Sequence, residues 1–345
     1  MVAQSQTQNY NVDERPVKSF GTPLPGLAEI ADRLLGPRGC LFTFHRAATS
    51  GVWETLPNRN FYLNLDFLDA LLSYLRRRDW DVVTMEDAAQ RIRTGRLARK
   101  FVNFSVDDCY RDTYEAVVPL FRRHGVPVTL FVTTGIPDQT LPLIFAGLED
   151  ALLTRDSVVL EDGARSLGTT AERRALYEQL AKQWDTPDGP THYSHFCHLN
   201  GIDEHAMHVK HAISWDMLEE LANDPLVEIG GHTVSHSRIS SLSDDGAMEE
   251  IEGCRRRLMA RLGVPARHFA FPYGRAADCG PRDFEITATA GFVSASTTRK
   301  GLVGPDARTD RLPRITLNGG HQSLTMIDAH LSGMTAVLAR ALGRV

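Results

Sequence analysis

Two adjacent carboxylates, Asp107 and Asp108, close an apolar run in Phe101-Val-Asn-Phe-Ser-Val-Asp-Asp-Cys-Tyr-Arg-Asp112. Neighbouring like charges repel, and a bound cation is one way to tolerate them: it takes one carboxylate as ligand and leaves the other free to accept protons. More ligands are then needed. They stand in Gly230-Gly-His-Thr-Val-Ser-His236, where the apolar run Leu226-Val-Glu-Ile229 gives way to two histidines four positions apart. If the backbone there is helical, both imidazoles project from one face, and Gly230-Gly231 permits a tight turn out of the strand. Asp108, His232 and His236 make three protein ligands with positions open for water and substrate, the pattern of a catalytic rather than a structural zinc. A third apolar run ends in His268-Phe-Ala-Phe-Pro-Tyr-Gly274. Singly, an acid pair is usually a solvated loop, and a histidine pair is as often structural as ligating. Three such strand ends converging on one place make a site.

The elements that must position these residues alternate. Cys40-Leu-Phe-Thr-Phe-His45 reads as a strand ending in histidine, Leu65–Arg77 as an amphipathic helix, and Trp80-Asp-Val-Val-Thr84 as a strand followed by a helix over 85–94. After the acid pair come a helix over 113–124 and a strand over 126–132. Beyond the histidines come a long helix over 244–262, strands at 268–274, 291–295 and 312–317, and a terminal helix over 323–342. This alternation predicts an α/β fold, a distorted (β/α) barrel of about seven strands. Between 138 and 212 the alternation lapses into a largely helical insertion. It carries His192, His195, His198, His205, His208 and His211, which lack an acidic partner and read as a solvated or packed helical face rather than a second metal site. The domain reading is an extension over 1–37, partly disordered, a barrel over 38–320, and a capping helix over 321–345.

Composition narrows the class. A net charge of -5 offers no field for a polyanion, so no nucleic-acid partner is expected. The first ten residues are polar where a signal peptide needs an apolar core, and no apolar run reaches membrane-spanning length, so a cytoplasmic location is expected. Five cysteines without paired spacing argue for reduced thiols.

From Cys40 to Leu317 the sequence resembles the polysaccharide deacetylase family, carbohydrate esterase family 4. Ser105-Val-Asp-Asp-Cys109 is similar to the family's Thr-Phe-Asp-Asp-Gly motif, and His232-Thr-Val-Ser-His236 matches its His-Ser/Thr-x-x-His motif. The resemblance implies Asp107 as catalytic base, and Asp108, His232 and His236 as ligands of one divalent metal ion, with zinc expected. Phe271-Pro-Tyr-Gly274 resembles the third motif, implying that the main-chain N–H of Tyr273 helps hold the oxyanion. The implied reaction is hydrolysis of the N-acetyl amide of an amino sugar or oligosaccharide. Rival readings are cleavage of an O-acetyl ester or cyclic ureide amide on the same fold, a ferrous oxygenase, and a sugar-binding protein with a decayed site.

Three departures from the family pattern matter. Cys109 replaces the glycine after the acid pair and is expected as a small buried residue rather than a thiol at the metal. Ala270 stands where the family carries an arginine. Arg314 can replace it, because a closed barrel brings the strand over 312–317 beside the first strand and holds Asp107 ionised. The fourth motif, an acid preceding a tryptophan, has no counterpart in 281–291. The late strand Arg314-Ile-Thr-Leu-Asn-Gly319 places glycine where many members carry the acid histidine, with His321 two residues on. His45, at the end of the early strand, takes that role instead, an arrangement similar to the circularly permuted biofilm poly-N-acetylglucosamine deacetylases.

Overall fold

In the computed structural model, which describes residues 39–320 and 322–335, seven parallel strands curl into a distorted barrel with helices around it. The strands in chain order are β1 (Gly39–Phe44), β2 (Arg46–Ala48), β3 (Tyr62–Asn64), β4 (Asp81–Val82), β5 (Phe101–Asp108), β6 (Val128–Val132), β7 (Ser157–Leu160), β8 (Gly163–Ser166), β9 (Val227–Gly231), β10 (His268–Ala270), β11 (Ser294–Ser296) and β12 (Ile315–Thr316). The main sheet runs β11-β10-β9-β6-β5-β1-β12, and β4 pairs with β5 off this path. β5 is buried along its whole length, as a strand covered on both faces must be. Its first residues pair with β4 (Asp81↔Phe101) and its last with β6 (Asp108↔Val132), so two strands share one edge. The ends of the sheet meet at a single parallel bridge, Ser296↔Leu312. First and last strands pair as a closed barrel requires, Thr43 opposite Thr316.

The covering helices bury one stripe each. Leu65–Arg77 turns Leu68, Leu71, Leu72 and Leu75 inward, and the Asn64 side chain caps it by accepting from Asp66 N–H. The expected single helix over 113–124 is instead a π-helical turn, Thr113–Val117, followed by an α-helix, Val118–His124. Pro119 sits in the first turn of that helix and has no N–H to donate, so the hydrogen-bond ladder widens before it. The terminal helix spans Leu324–Leu331. The expected N-terminal extension, His321 and the end of the terminal helix lie outside the described residues.

Between β6 and the helix Trp215–Ala222, four helices (Ile144–Thr154, Thr170–Trp184, Gly189–Asn200 and Glu204–His211) and the β7–β8 hairpin surround a core of their own, including Leu148, Leu152, Tyr177, Trp184 and Phe196. The hairpin departs from the helical expectation. Its signal was present: the β-branched run Ser157-Val-Val-Leu160 turns back through the two-residue loop Glu161-Asp162, and Gly163, which pairs with Leu160, stands at φ 125°.

At the end of the barrel away from the acid pair, Glu228 on β9 accepts from the N–H groups of Met85 (2.6 Å) and Glu86 (2.9 Å) and from Thr129 Oγ1 (2.9 Å). One carboxylate thereby caps a helix and ties it to two strands.

Candidate active site

β5 delivers Asp107 and Asp108 to the carboxyl end of the barrel, and the chain then breaks sharply. Asp108 and Cys109 both adopt left-handed backbone, φ 66° and 69°. Thr233, His236 and Tyr273 do so as well, at 67°, 58° and 60°. Among the described residues, these five make up most of the non-glycine positions with positive φ, and all lie in the three motif loops. Strain gathered in this way marks a site whose surroundings over-determine its geometry. Cys109 is fully buried, its thiol directed at the carbonyls of Val106 and Phe131. Burial, with the charges of Asp108 and Asp107, pushes that thiol well above its usual range, so it stays protonated.

The histidines follow β9 on a loop, not on the helix that their spacing suggested. The loop is held by Glu250 on the helix Asp244–Leu262, whose Oε2 accepts from Val234 N–H (3.0 Å) and Ser235 N–H (2.9 Å). His232 Nδ1–H donates to Ala270 O at 2.7 Å, which fixes the tautomer and leaves the Nε2 lone pair facing Asp108. Nε2 of His232 and of His236 stand 3.4 and 3.1 Å from Asp108 Oδ1.

The donor set fits a metal ion. One ligand atom from each of Asp108, His232 and His236 lies within 4.8 Å of the others, and all three residues are buried. Neither oxygen of Asp108 receives a properly aligned hydrogen bond. A buried carboxylate without a donor, beside two imidazole lone pairs, is what a divalent cation satisfies. Although burial pushes Asp108 upward, His236 and His232 hold it well below the usual carboxylate range. Among the described residues no other group of this kind occurs. In the insertion, His208 is buried and bonded to Ile136 O (2.9 Å), and, against the expectation that these histidines lack an acidic partner, the fold brings Asp150 to 2.8 Å from His211.

Arg314, immediately before β12, forks onto Asp107 with two contacts of 2.7 Å, Nη1 to Oδ1 and Nη2 to Oδ2. The guanidinium is wholly buried, donates also to Thr297 O, Thr43 Oγ1 and Ser105 Oγ (3.0 Å each), and lies over the Phe131 ring. Burial alone would raise Asp107; the arginine beside it outweighs that and holds the carboxyl low. His45 follows β1 directly and is half-buried, its ring stacked on Phe61 at 4.6 Å. Burial lowers its pKa, while the charges of Asp108 and Asp107 favour the imidazolium. Tyr273 lies in the loop after β10, its ring 5.1 Å from that of His236 and beneath the Arg238 guanidinium, its carbonyl accepting from Thr298 Oγ1.

A family model described as polysaccharide deacetylase matches residues 94–282, more than half of the chain. No curated protein matches. Among solved structures, a Streptococcus pyogenes deacetylase, PplD, in complex with acetate is similar with a TM-score of 0.58 and 16% identity, covering 84% of this chain and 97% of the other. IcaB from Ammonifex degensii is similar with a TM-score of 0.55 and 19% identity, covering 86% and 98%. A de-N-acetylase from Aggregatibacter actinomycetemcomitans gives 0.54 and 12%, covering 84% and 99%. At these identities the likeness is one of fold.

Proposed function

Because the chain belongs to the polysaccharide deacetylase family, we propose that it is a metal-dependent hydrolase removing the acetyl group from an N-acetylated amino sugar or oligosaccharide. The observation that carries this reading is the buried cluster of Asp108, His232 and His236, with both carboxylate oxygens unserved, next to a second carboxylate held by Arg314. When bound by those three residues, a divalent ion, zinc by the ligand chemistry, supplies Lewis acidity that lowers the pKa of water and polarises a carbonyl.

The chain's own groups divide the remaining work. Asp107, kept ionised by the Arg314 fork, takes the proton from the attacking water. The Tyr273 N–H, presented by a left-handed residue, donates to the oxyanion of the tetrahedral intermediate. His45 protonates the departing amine; its place at the end of β1, on the same edge of the barrel as Asp107 and Asp108, supports that role. His232 is kept in its ligating tautomer by Ala270 O.

The test incubates the zinc-loaded protein with N-acetylglucosamine oligomers and with O-acetylated sugars, measuring acetate released and metal bound. Acetate is expected from the N-acetyl substrates, and His232→Ala is expected to lower metal content and turnover together. Release confined to the esters, or a full equivalent of metal in each alanine variant at 108, 232 and 236, overturns the reading.

A further inference from the structure

We propose that Asp112 and Arg46 are positioning residues for His45, an inference that rests on the reading of His45 as the acid meeting the departing amine. Among the described residues, no hydrogen bond aims the imidazole in the way that Arg314 aims Asp107. What surrounds His45 instead is a clamp on its backbone and on the ring beneath it. The preceding residue, Phe44, is fixed in β1 opposite Val106 of β5. On the other side, Asp112 Oδ2 accepts from Ala47 N–H at 2.8 Å and Oδ1 accepts from Arg46 Nε at 3.1 Å. A single carboxylate thus holds the two residues after His45 through main chain and side chain.

The arginine completes the clamp. Its guanidinium lies 4.6 Å from the ring centroids of both Tyr62 and Tyr110, with 8% of its side chain exposed. The same two rings meet Phe61 edge-on at 6.3 Å each, and Phe61 is the shelf on which the imidazole stacks. Backbone and shelf are therefore braced by one buried cation and its partner. Asp112 stands four residues beyond Asp108, so the segment that supplies the base and a ligand also fixes the place of the acid. Without Asp112, the guanidinium would keep Glu149 as its remaining acidic neighbour but lose the group that ties it to the chain after His45, loosening the clamp.

The test compares an amide with an ester whose leaving group departs without a proton. Initial rates of the zinc-loaded full chain are measured on an N-acetylglucosamine oligomer and on 4-nitrophenyl acetate, with metal content and melting temperature recorded for every variant. If His45 is the acid, His45→Ala loses amide turnover by about 100-fold or more and keeps ester turnover within a few-fold. Asp112→Asn is then expected to lose kcat on the amide by roughly tenfold, with KM and ester rate little changed, and to add nothing in the His45→Ala background. Asp112→Glu should restore part of the loss. Should Asp112→Asn fold poorly, Arg46→Lys, which keeps the charge but not the Nε donor or the planar group between the two tyrosine rings, takes the same comparison. A selective defect in His45→Ala with an equal loss on both substrates in the Asp112 and Arg46 variants overturns the proposal alone. An unselective defect in His45→Ala overturns the acid assignment itself.

Discussion

Asp107 and Arg314 face each other through two parallel contacts with neither group open to water, so removing the carboxylate charge has two separable effects. Asp107→Asn is expected to retain metal, since the ligands are untouched, and to lose turnover by 100-fold or more. It should also destabilise the fold by about 3 kcal/mol, because a buried guanidinium loses its counter-charge; an unchanged denaturant midpoint would contradict the geometry. Cys109 offers a different check. At φ 69° a side chain costs about 1 kcal/mol that glycine does not pay, roughly what the buried thiol returns by packing. Cys109→Gly should therefore lie within about 1 kcal/mol of the parent protein, whereas the β-branched Cys109→Val should fall at least about 2 kcal/mol below it by chemical denaturation. That the acid pair and the two histidines come together was legible because residues able to hold a metal stand out by type and spacing. Arg314 needed an argument from barrel closure, and the Asp112–Arg46 pair gave no signal beyond ordinary charges in a polar stretch.

Elements whose apolar residues recur strictly were the legible ones: Leu65–Arg77 and Asp244–Leu262 have the limits that their periodicity suggests. What the pattern misses is set by single contacts. The i, i+4 histidines suggested a helix, yet Glu250 captures two successive N–H groups and the segment becomes a loop. On the sequence Glu250 is one of several charged residues along the helix over 244–262. Glu250→Ala leaves both donors unpaired, and about 2 kcal/mol of stability should be lost. Zinc affinity should weaken by about 10- to 100-fold, as when the support of a ligand is removed. Competition with a chromophoric chelator measures this, and an affinity equal to that of the parent would mean that the loop holds its shape without Glu250. The π-helical turn before Pro119 escaped for a similar reason, since a missing donor shifts the ladder without altering the hydrophobic spacing.

At the scale of the whole molecule, the barrel and the insertion have separate cores, and charged contacts help hold the insertion together. Asp150 pairs with His211 and Lys210, which outweigh its burial and bring its carboxyl down to about 2. A depressed carboxylate gives stability that is complete above its unfolded pKa of about 3.9 and is lost as pH falls through the folded value. Asp150→Asn should therefore melt below the parent protein at pH 7, and the gap should close as pH falls from about 4 to 2; a constant gap would show that the charge is not what matters. The seam of the barrel has a consequence of another kind. Arg314 draws on Thr297 at one end of the sheet and on Thr43, Ser105 and Asp107 toward the other, fastening a junction where the main chains meet at the Ser296–Leu312 bridge and in the Arg314 N–H to Arg299 O bond. On the ribosome that fastener emerges 207 residues after Asp107, an interval of about 10–40 s at ordinary rates of translation. For that interval the nascent chain carries two adjacent acids without Arg314 beside them, and a transcript cut short before codon 314 would yield a chain in which the Asp107–Arg314 pair has never been assembled.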